Sequence, residues 1–259
     1  MPLNPHDTRI VEQFTRWAQP FADLPVHSEA DGLARILAAA AIEPHLSVLD
    51  VACGPGIVAC TAARYASHVT GIDLTPAMIE QAKRRQREMG LGNLEWHVGN
   101  ATALPFSDGT FDVVLTRYSF HHLSEPVVVL REMKRVCRPG GRVVVIDATP
   151  SPESQTAYDR MEILRDPSHT SALTLEQLRT MGRRVGLSEQ HIDGYRLEAE
   201  LKTLADPDDM QKLTRMLDSD IAAGQDRTGV AAQRRENSIW IYFPISIVAW
   251  RTPRASAPD

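Results

Sequence analysis

Cysteine is scarce in this chain and an excess of positive charge is missing. Cys53, Cys60 and Cys137 are an odd number without metal-ligand spacing, which points to a reducing compartment, and no other metal-ligating constellation stands out. The 28 Lys and Arg residues are outnumbered by 33 Asp and Glu, leaving a net charge of −5. A nucleic-acid binder needs a cationic stripe; the basic runs Lys83-Arg84-Arg85, Arg183-Arg184 and Arg234-Arg235 sit inside helical patterns and read as solvated faces. No apolar run approaches the length of a membrane span, and the start MPLNPHDTRI has neither a basic cluster nor a hydrophobic segment. The expectation is a cytoplasmic protein that engages neither nucleic acid nor membrane.

What is present is ordinary globular material, 43% apolar and 24% charged over 259 residues, a length that α/β folds reach as one domain. Ile10, Val11, Phe14, Trp17, Ala18 and Phe21 fall at helical spacing, closed by Pro20, and suit either core packing or an active-site lid. A second helix over Asp31–Ile42 stops before Pro44. Strand-like runs then follow at Ser47–Val51, Val69–Asp73, Leu94–Val98, Phe111–Thr116 and Arg142–Asp147. Between and after them lie helical segments near Ile57–Ala66, Thr75–Met89, Glu125–Val136 and Ser151–Leu164. This alternation calls for a parallel sheet covered on both faces, an α/β, doubly wound, Rossmann-like architecture. A helix over Leu175–Val185 carries a capping box at Thr174 and Gln177. Strands at Gln190–Leu197 and Ser238–Trp250 flank a polar, helical insertion, Glu198–Arg235. Trp240, Tyr242, Phe243 and Trp250 are assigned to the core, and residues 251–259 to a flexible tail.

The chemistry begins at Val48-Leu49-Asp50-Val51-Ala52-Cys53-Gly54-Pro55-Gly56, a strand ending in an acid and entering a glycine turn before a helix. Glycines there let a nucleoside approach the main chain, whose N–H groups and helix N-terminus offer donors. The same Gly54-x-Gly56-x-x-Ala59 also satisfies a dinucleotide fingerprint. Asp73 closes the second strand, 23 positions after Asp50, as a ribose-binding carboxylate would in either case.

The ordered set VLDVACGPG, GIDLTPAMIEQAK, GNATALPF, FDVVLTRYSFHHL and RPGGRVVVID resembles the class I S-adenosylmethionine (SAM)-dependent methyltransferases, in the branch that includes ubiquinone and menaquinone methyltransferases. It covers roughly residues 46–150. Residues 1–43 are read as a helical lid from their large aromatics, and 198–235 as a cap from its length. The resemblance implies a seven-stranded, mostly parallel sheet with an antiparallel last strand. It implies SAM as cofactor and S-adenosylhomocysteine as product. Asp50 would sit by the methionine end, Ala52, Gly54 and Gly56 beneath the cofactor, Asp73 on the ribose hydroxyls, and Leu74 and Met78 beside the adenine. Ala52 replaces the usual first glycine. Asn100 replaces the usual aspartate on the adenine amino group, keeping a carbonyl acceptor, and Ala101 supplies a backbone N–H.

Beyond the cofactor, Arg117 would face the methionine carboxylate or an anionic acceptor, and His121 or His122 a proton-bearing acceptor as base. For either histidine the alternative is capping or packing; for His169, on the following loop, it is a surface position. Asp147 would act electrostatically on an amine acceptor. The expected partner is a small-molecule methyl acceptor, and the expected assembly a monomer or homodimer. Two other functions remain open: a SAM-binding protein with a regulatory or non-methyltransferase role, and a nicotinamide-dependent dehydrogenase. The acid four positions before the first glycine and the Leu-Pro-Phe and Pro-Gly-Gly elements weigh against the latter.

Overall fold

A computed structural model describes residues 4–23 and 30–254. Five parallel strands form its centre: β1 (Ser47–Val51), β2 (His68–Asp73), β3 (Leu94–Val98), β4 (Phe111–Arg117) and β5 (Cys137–Ala148). Val48, Leu49, Val69, Val114, Val144 and Val145 are fully buried, the unbroken apolar content that a sheet sandwiched between helices requires. Beyond β5 lie β8 (Ser238–Arg251), antiparallel, and β6 (Ser188–Glu200), giving the order β3-β2-β1-β4-β5-β8-β6. A three-residue strand, β7 (Gln233–Arg235), pairs with β8 and makes an eighth. Arg234-Arg235 therefore belong to a strand, not to a helix as their setting suggested.

The helices α3 (Ile57–Ala62), α4 (Pro76–Glu88), α5 (Pro126–Val136), α6 (Gln155–Arg165) and α7 (Leu175–Arg184) connect or cover the strands. The capping box of α7 is formed, Thr174 accepting from the Gln177 N–H and the Gln177 side chain from Thr174 N–H, a cap worth about 1 kcal/mol. The strand order reverses between β1 and β4. Loops leaving their carboxyl ends diverge and open a crevice there.

Several boundaries differ from expectation. Helix α1 runs over Pro5–Asp23 and passes through Pro20, whose fixed φ suits a helix even though it donates no bond to the preceding turn; the side chain of Phe21 lies outside the described residues. The insertion contributes one long helix, α8 (Pro207–Ala223), stopped by Gly224 in the left-handed conformation at φ 61°. Residues 251–254 are ordered parts of the fold: Arg251 ends β8 paired with Arg142, and the Thr252 hydroxyl donates to the Arg138 carbonyl at 2.5 Å. Residues 255–259 lie outside the described residues. Along β8 the core face belongs to Ile239, Ile241, Phe243 and Ile245, while Trp240 and Tyr242 point to the other face beneath the Arg235 guanidinium. Trp250 is buried as expected.

Helix α2 (Ala30–Ala40) packs on β5, β6 and β8, and α1 lies against α4, where Arg84 donates to the Gln19 side chain at 2.8 Å. No described helix is long and apolar enough to cross a membrane.

Candidate active site

Two adjoining cavities open at the carboxyl end of the sheet. The first is lined by Asp50, Ala52, Gly54, Asp73, Leu74, Met78, Asn100, Ala101 and Arg117, with His6, Asp7, Ile10 and Phe14 of α1 closing one side. These residues come from four strand ends because parallel strands all deliver their carboxyl termini to the same edge.

The Asp73 carboxylate spans the turn, accepting from Gly54 N–H and from Thr75 N–H, each at 2.8 Å. Burial raises its pKa and these bonds oppose the rise. Gly54 sits at φ +52°, and a Cβ there would meet no protein atom within 4 Å; the position is kept clear on the cavity side. Asp50 is buried with its Oδ2 lacking any hydrogen-bond partner, and burial lifts its carboxyl to about 8. A buried carboxylate oxygen without a donor is a place for a cationic or N–H-bearing ligand group. That orphaned oxygen, the open Gly54 and the acid at Asp73 fit a nucleoside bearing an amino-acid tail.

Gly56 departs from its expected place. It does not line this cavity, and a Cβ on it would lie 2.7 Å from the Trp96 ring and 2.9 Å from Ala82 Cβ. Its φ of +76° and the close approach of α4 and β3 explain the glycine. Asn100 differs too. Its carbonyl already accepts from Thr102 N–H and hydroxyl, and its NH₂ donates to Asp7 at 2.9 Å. The carboxylate beside position 100 thus comes from α1, a residue that sequence reasoning passed over.

The second cavity shares Phe14, Tyr118 and His122 with the first. Its walls are Trp17, Tyr158, Leu204, Phe243 and Ile245 with Ala148, Leu197 and Ala199, and its polar groups include His121, Glu162, Arg165 and Asp166. His121 Nδ1 lies 2.5 Å from Asp147 Oδ1; a carboxylate there places the proton on Nδ1. Asp147 is held by N–H donation from Phe120, His121 and Ala148, so it acts on His121 and lines neither cavity. Burial lowers the His121 pKa, but the charge and hydrogen bond of Asp147 outweigh it, and the net shift is upward. Asp147 is correspondingly held below the usual carboxylate range. With Nδ1 engaged, the basic Nε2 remains for the cavity that His121 lines.

His122 is arranged differently. The Ser168 hydroxyl donates to Asp166 at 2.6 Å, so His122 Nδ1 donates to Ser168 Oγ at 3.2 Å. Burial and the neighbouring His121 push its pKa down to about 3; it is neutral throughout the working range. His169 lies behind the site, lining neither cavity, its Nε2 paired with Asp159 at 2.8 Å. The loop folds inward because Thr170 bonds to the His121 carbonyl and Asp159 ties down Ala172 N–H, so the expectation of a histidine turned toward an acceptor, or toward solvent, is replaced by a buried structural one.

Over residues 49–145 the chain matches the family described as methyltransferase domain, Methyltransf_11. It is 31% identical over 186 residues to the uncharacterized methyltransferase YcgJ of Bacillus subtilis (strain 168), covering 71% of this chain and 74% of that one. The chain belongs to the SAM-dependent methyltransferases. The crystal structure of YcgJ superposes with a TM-score of 0.79 at 24% identity, over 88% of this methyltransferase and all of that chain, so the two share the fold. The ubiquinone/menaquinone biosynthesis C-methyltransferase UbiE of Roseobacter denitrificans is 38% identical over 117 residues, 43% of this chain and 47% of its own; less than half of that enzyme is spanned.

Among the described residues of the methyltransferase no group of three His, Cys, Asp or Glu could hold a metal ion. The residues that sequence reasoning missed are His6, Asp7, Tyr158, Glu162 and Arg165. Phe14 and Trp17 did give a signal, as large apolar residues on an N-terminal helix. Glu162 and Arg165, three apart on α6, look like any surface ion pair until the fold buries them.

Proposed function

We propose that the first cavity holds SAM, the second holds a small-molecule acceptor, and His121 removes the acceptor's proton as the methyl group is transferred. The observation that carries this reading is that His121, buried and paired with Asp147, lines a cavity that shares a wall with the Asp50–Asp73 pocket. When bound, SAM supplies a methyl group on a sulfonium that is already a good leaving group.

The chain's own residues bind and orient. Asp73 takes the ribose hydroxyls, through charge-assisted bonds of about 1.5–3 kcal/mol each. Asp50 takes the amino-acid end with Arg117 nearby, while Leu74, Met78 and the Ala101 N–H face the base. Phe14 on α1 and Leu204 of the 198–235 segment close the two cavities against water, which strengthens the electrostatics inside. Asp147 keeps the proton of His121 on Nδ1, leaves Nε2 as the base, and stabilises the imidazolium that forms. Neutral His122 separates the two cavities without adding charge.

General-base catalysis contributes about 10²–10⁴-fold. His121→Asn is therefore expected to lower kcat for labelled methyl transfer by that range while S-adenosylhomocysteine affinity holds. Because the base must be neutral, kcat/KM rises with pH through a midpoint above the ordinary 6.5 of histidine. Asp147→Asn removes the raising charge, so the midpoint moves to lower pH and the rate on the plateau falls. Unchanged turnover in His121→Asn, or a midpoint unmoved by Asp147→Asn, contradicts the assignment.

A further inference from the structure

We infer that the second cavity selects an uncharged, ring-sized hydroxyaromatic acceptor and rejects carboxylate-bearing ones. This rests on the reading that methyl transfer takes place between the two cavities.

Size and lining set the first limit. The cavity holds about 100 Å³, on the scale of the roughly 150 Å³ apolar pocket that accommodates one benzene ring. Phe14, Trp17, Tyr158 and Phe243 present rings and Leu197, Leu204 and Ile245 present aliphatic surface, the lining that aromatic ligands fill by edge and face contacts.

Charge sets the second. Around His121 stand Asp147 from β5, Glu162 from α6 and Asp166 beyond it, against one cation, Arg165. Arg165 is already committed, its Nε and Nη2 donating to the two oxygens of Glu162 at 2.9 and 2.6 Å. Asp166 is satisfied by Ser168, and the Tyr118 hydroxyl by Tyr195 at 2.7 Å. His169, buried behind His121, faces Asp159. His121 answers Asp147 and Arg165 answers Glu162, which leaves Asp166 without a cation of its own among these groups, so a carboxylate, phosphate or sulfonate on the acceptor would enter a net negative space.

The base sets the third. A buried His–Asp pair is useful only to an acceptor that still carries its proton at neutral pH. An alkyl alcohol offers imidazole a far smaller driving force for proton transfer than a phenol does. An alkyl ammonium would be held in its unreactive, protonated form by the same net negative charge. A phenolic hydroxyl is neutral on entry and within reach of a histidine whose basicity Asp147 increases. Its oxygen forms the new O–CH₃ bond with its own electron pair as the S–CH₃ bond breaks. The breaking pair stays on sulfur as the thioether, and the phenolic proton passes to His121 Nε2 and on to solvent.

The test uses the full chain saturated with S-adenosylhomocysteine, whose own binding is first measured by calorimetry. Three single-ring probes of nearly equal size are then titrated: 4-methylphenol, benzoate and benzylamine. The phenol is expected to bind at least 10-fold more tightly than either charged probe, and with methyl-labelled SAM to gain label on oxygen. Ala199→Leu, on the cavity wall, is expected to weaken phenol binding 10-fold or more with S-adenosylhomocysteine affinity retained, which also shows the variant is folded; Leu204→Phe is the second such variant.

If S-adenosylhomocysteine itself does not bind, the cofactor reading falls and the acceptor inference falls with it. If it binds but the phenol does not, or the benzoate or amine equals it, or the label lands on carbon or nitrogen, the acceptor inference alone is overturned.

Discussion

Asp50 sits buried at the end of β1 with one oxygen unpartnered and its carboxyl raised to about 8 by burial. At pH 7 it is mostly protonated in the free protein, whereas a cationic amino group placed beside it would favour the ionised form. Binding of S-adenosylhomocysteine at pH 7 should therefore release protons, and the release should fall away as pH rises past the free carboxyl's midpoint of about 8. Calorimetry in buffers of different ionisation enthalpy reads this directly; binding with no proton exchange at pH 7, or uptake, contradicts the placement of Asp50. At this scale much was legible. Asp50, Gly54, Asp73, Leu74, Met78 and Arg117 could be picked from strand ends and the glycine turn, and all line one cavity. His169 could not be placed, because its burial depends on bonds to Asp159 on α6 and on the neighbouring Thr170 reaching back to His121, contacts between residues far from periodic patterns.

Among the elements, the turn from β1 into α3 contains two glycines with different tasks. Gly54 keeps space open, so an added methyl there meets no protein atom. Gly56 keeps α3, α4 and β3 together, with Trp96 and Ala82 inside 3 Å of any Cβ. Gly56→Ala should lose about 2–4 kcal/mol of stability through left-handed backbone strain and overpacking. Gly54→Ala should lose only about 1–2 kcal/mol from the backbone, with its larger effect on cofactor affinity. Urea denaturation of the two variants tests the contrast; equal midpoints would show that the packing around Gly56 relaxes freely. The spacing of the pair was visible, but the division of labour was not, since only the fold brings Trp96 onto the turn.

Helix α1 shows the same limit. Its apolar face could be read, yet its seat depends on His6 Nε2 meeting the His122 carbonyl at 2.6 Å and on Asn100 donating to Asp7. Asp7→Ala is accordingly expected to loosen α1 and weaken S-adenosylhomocysteine binding about 10-fold or more, a loss of roughly 1.5–3 kcal/mol for one hydrogen bond to a charged group, measured in the same titration; an unchanged affinity would detach α1 from the cofactor cavity.

At the scale of the whole molecule, the alternation of strands and helices was legible because parallel strands buried on both faces leave long apolar runs separated by amphipathic helices. The polar 198–235 segment was visible as too long for a connection, though not that Leu204 and the end of β6 would wall a cavity with Tyr158 and Phe243. The crevice at the β1–β4 reversal gathers Asp50, Asp73 and Arg117 on one side of Phe14, Tyr118 and His122, and His121 with its partner Asp147 on the other. The measurement that bears on all of it is calorimetric titration of the purified chain with S-adenosylhomocysteine, with NADH as the competing ligand and Asp73→Ala as the variant. Micromolar binding of S-adenosylhomocysteine alone, lost in Asp73→Ala, is the expected result; binding that survives the substitution, or a preference for NADH, would contradict the assignment of the Asp50–Asp73 cavity.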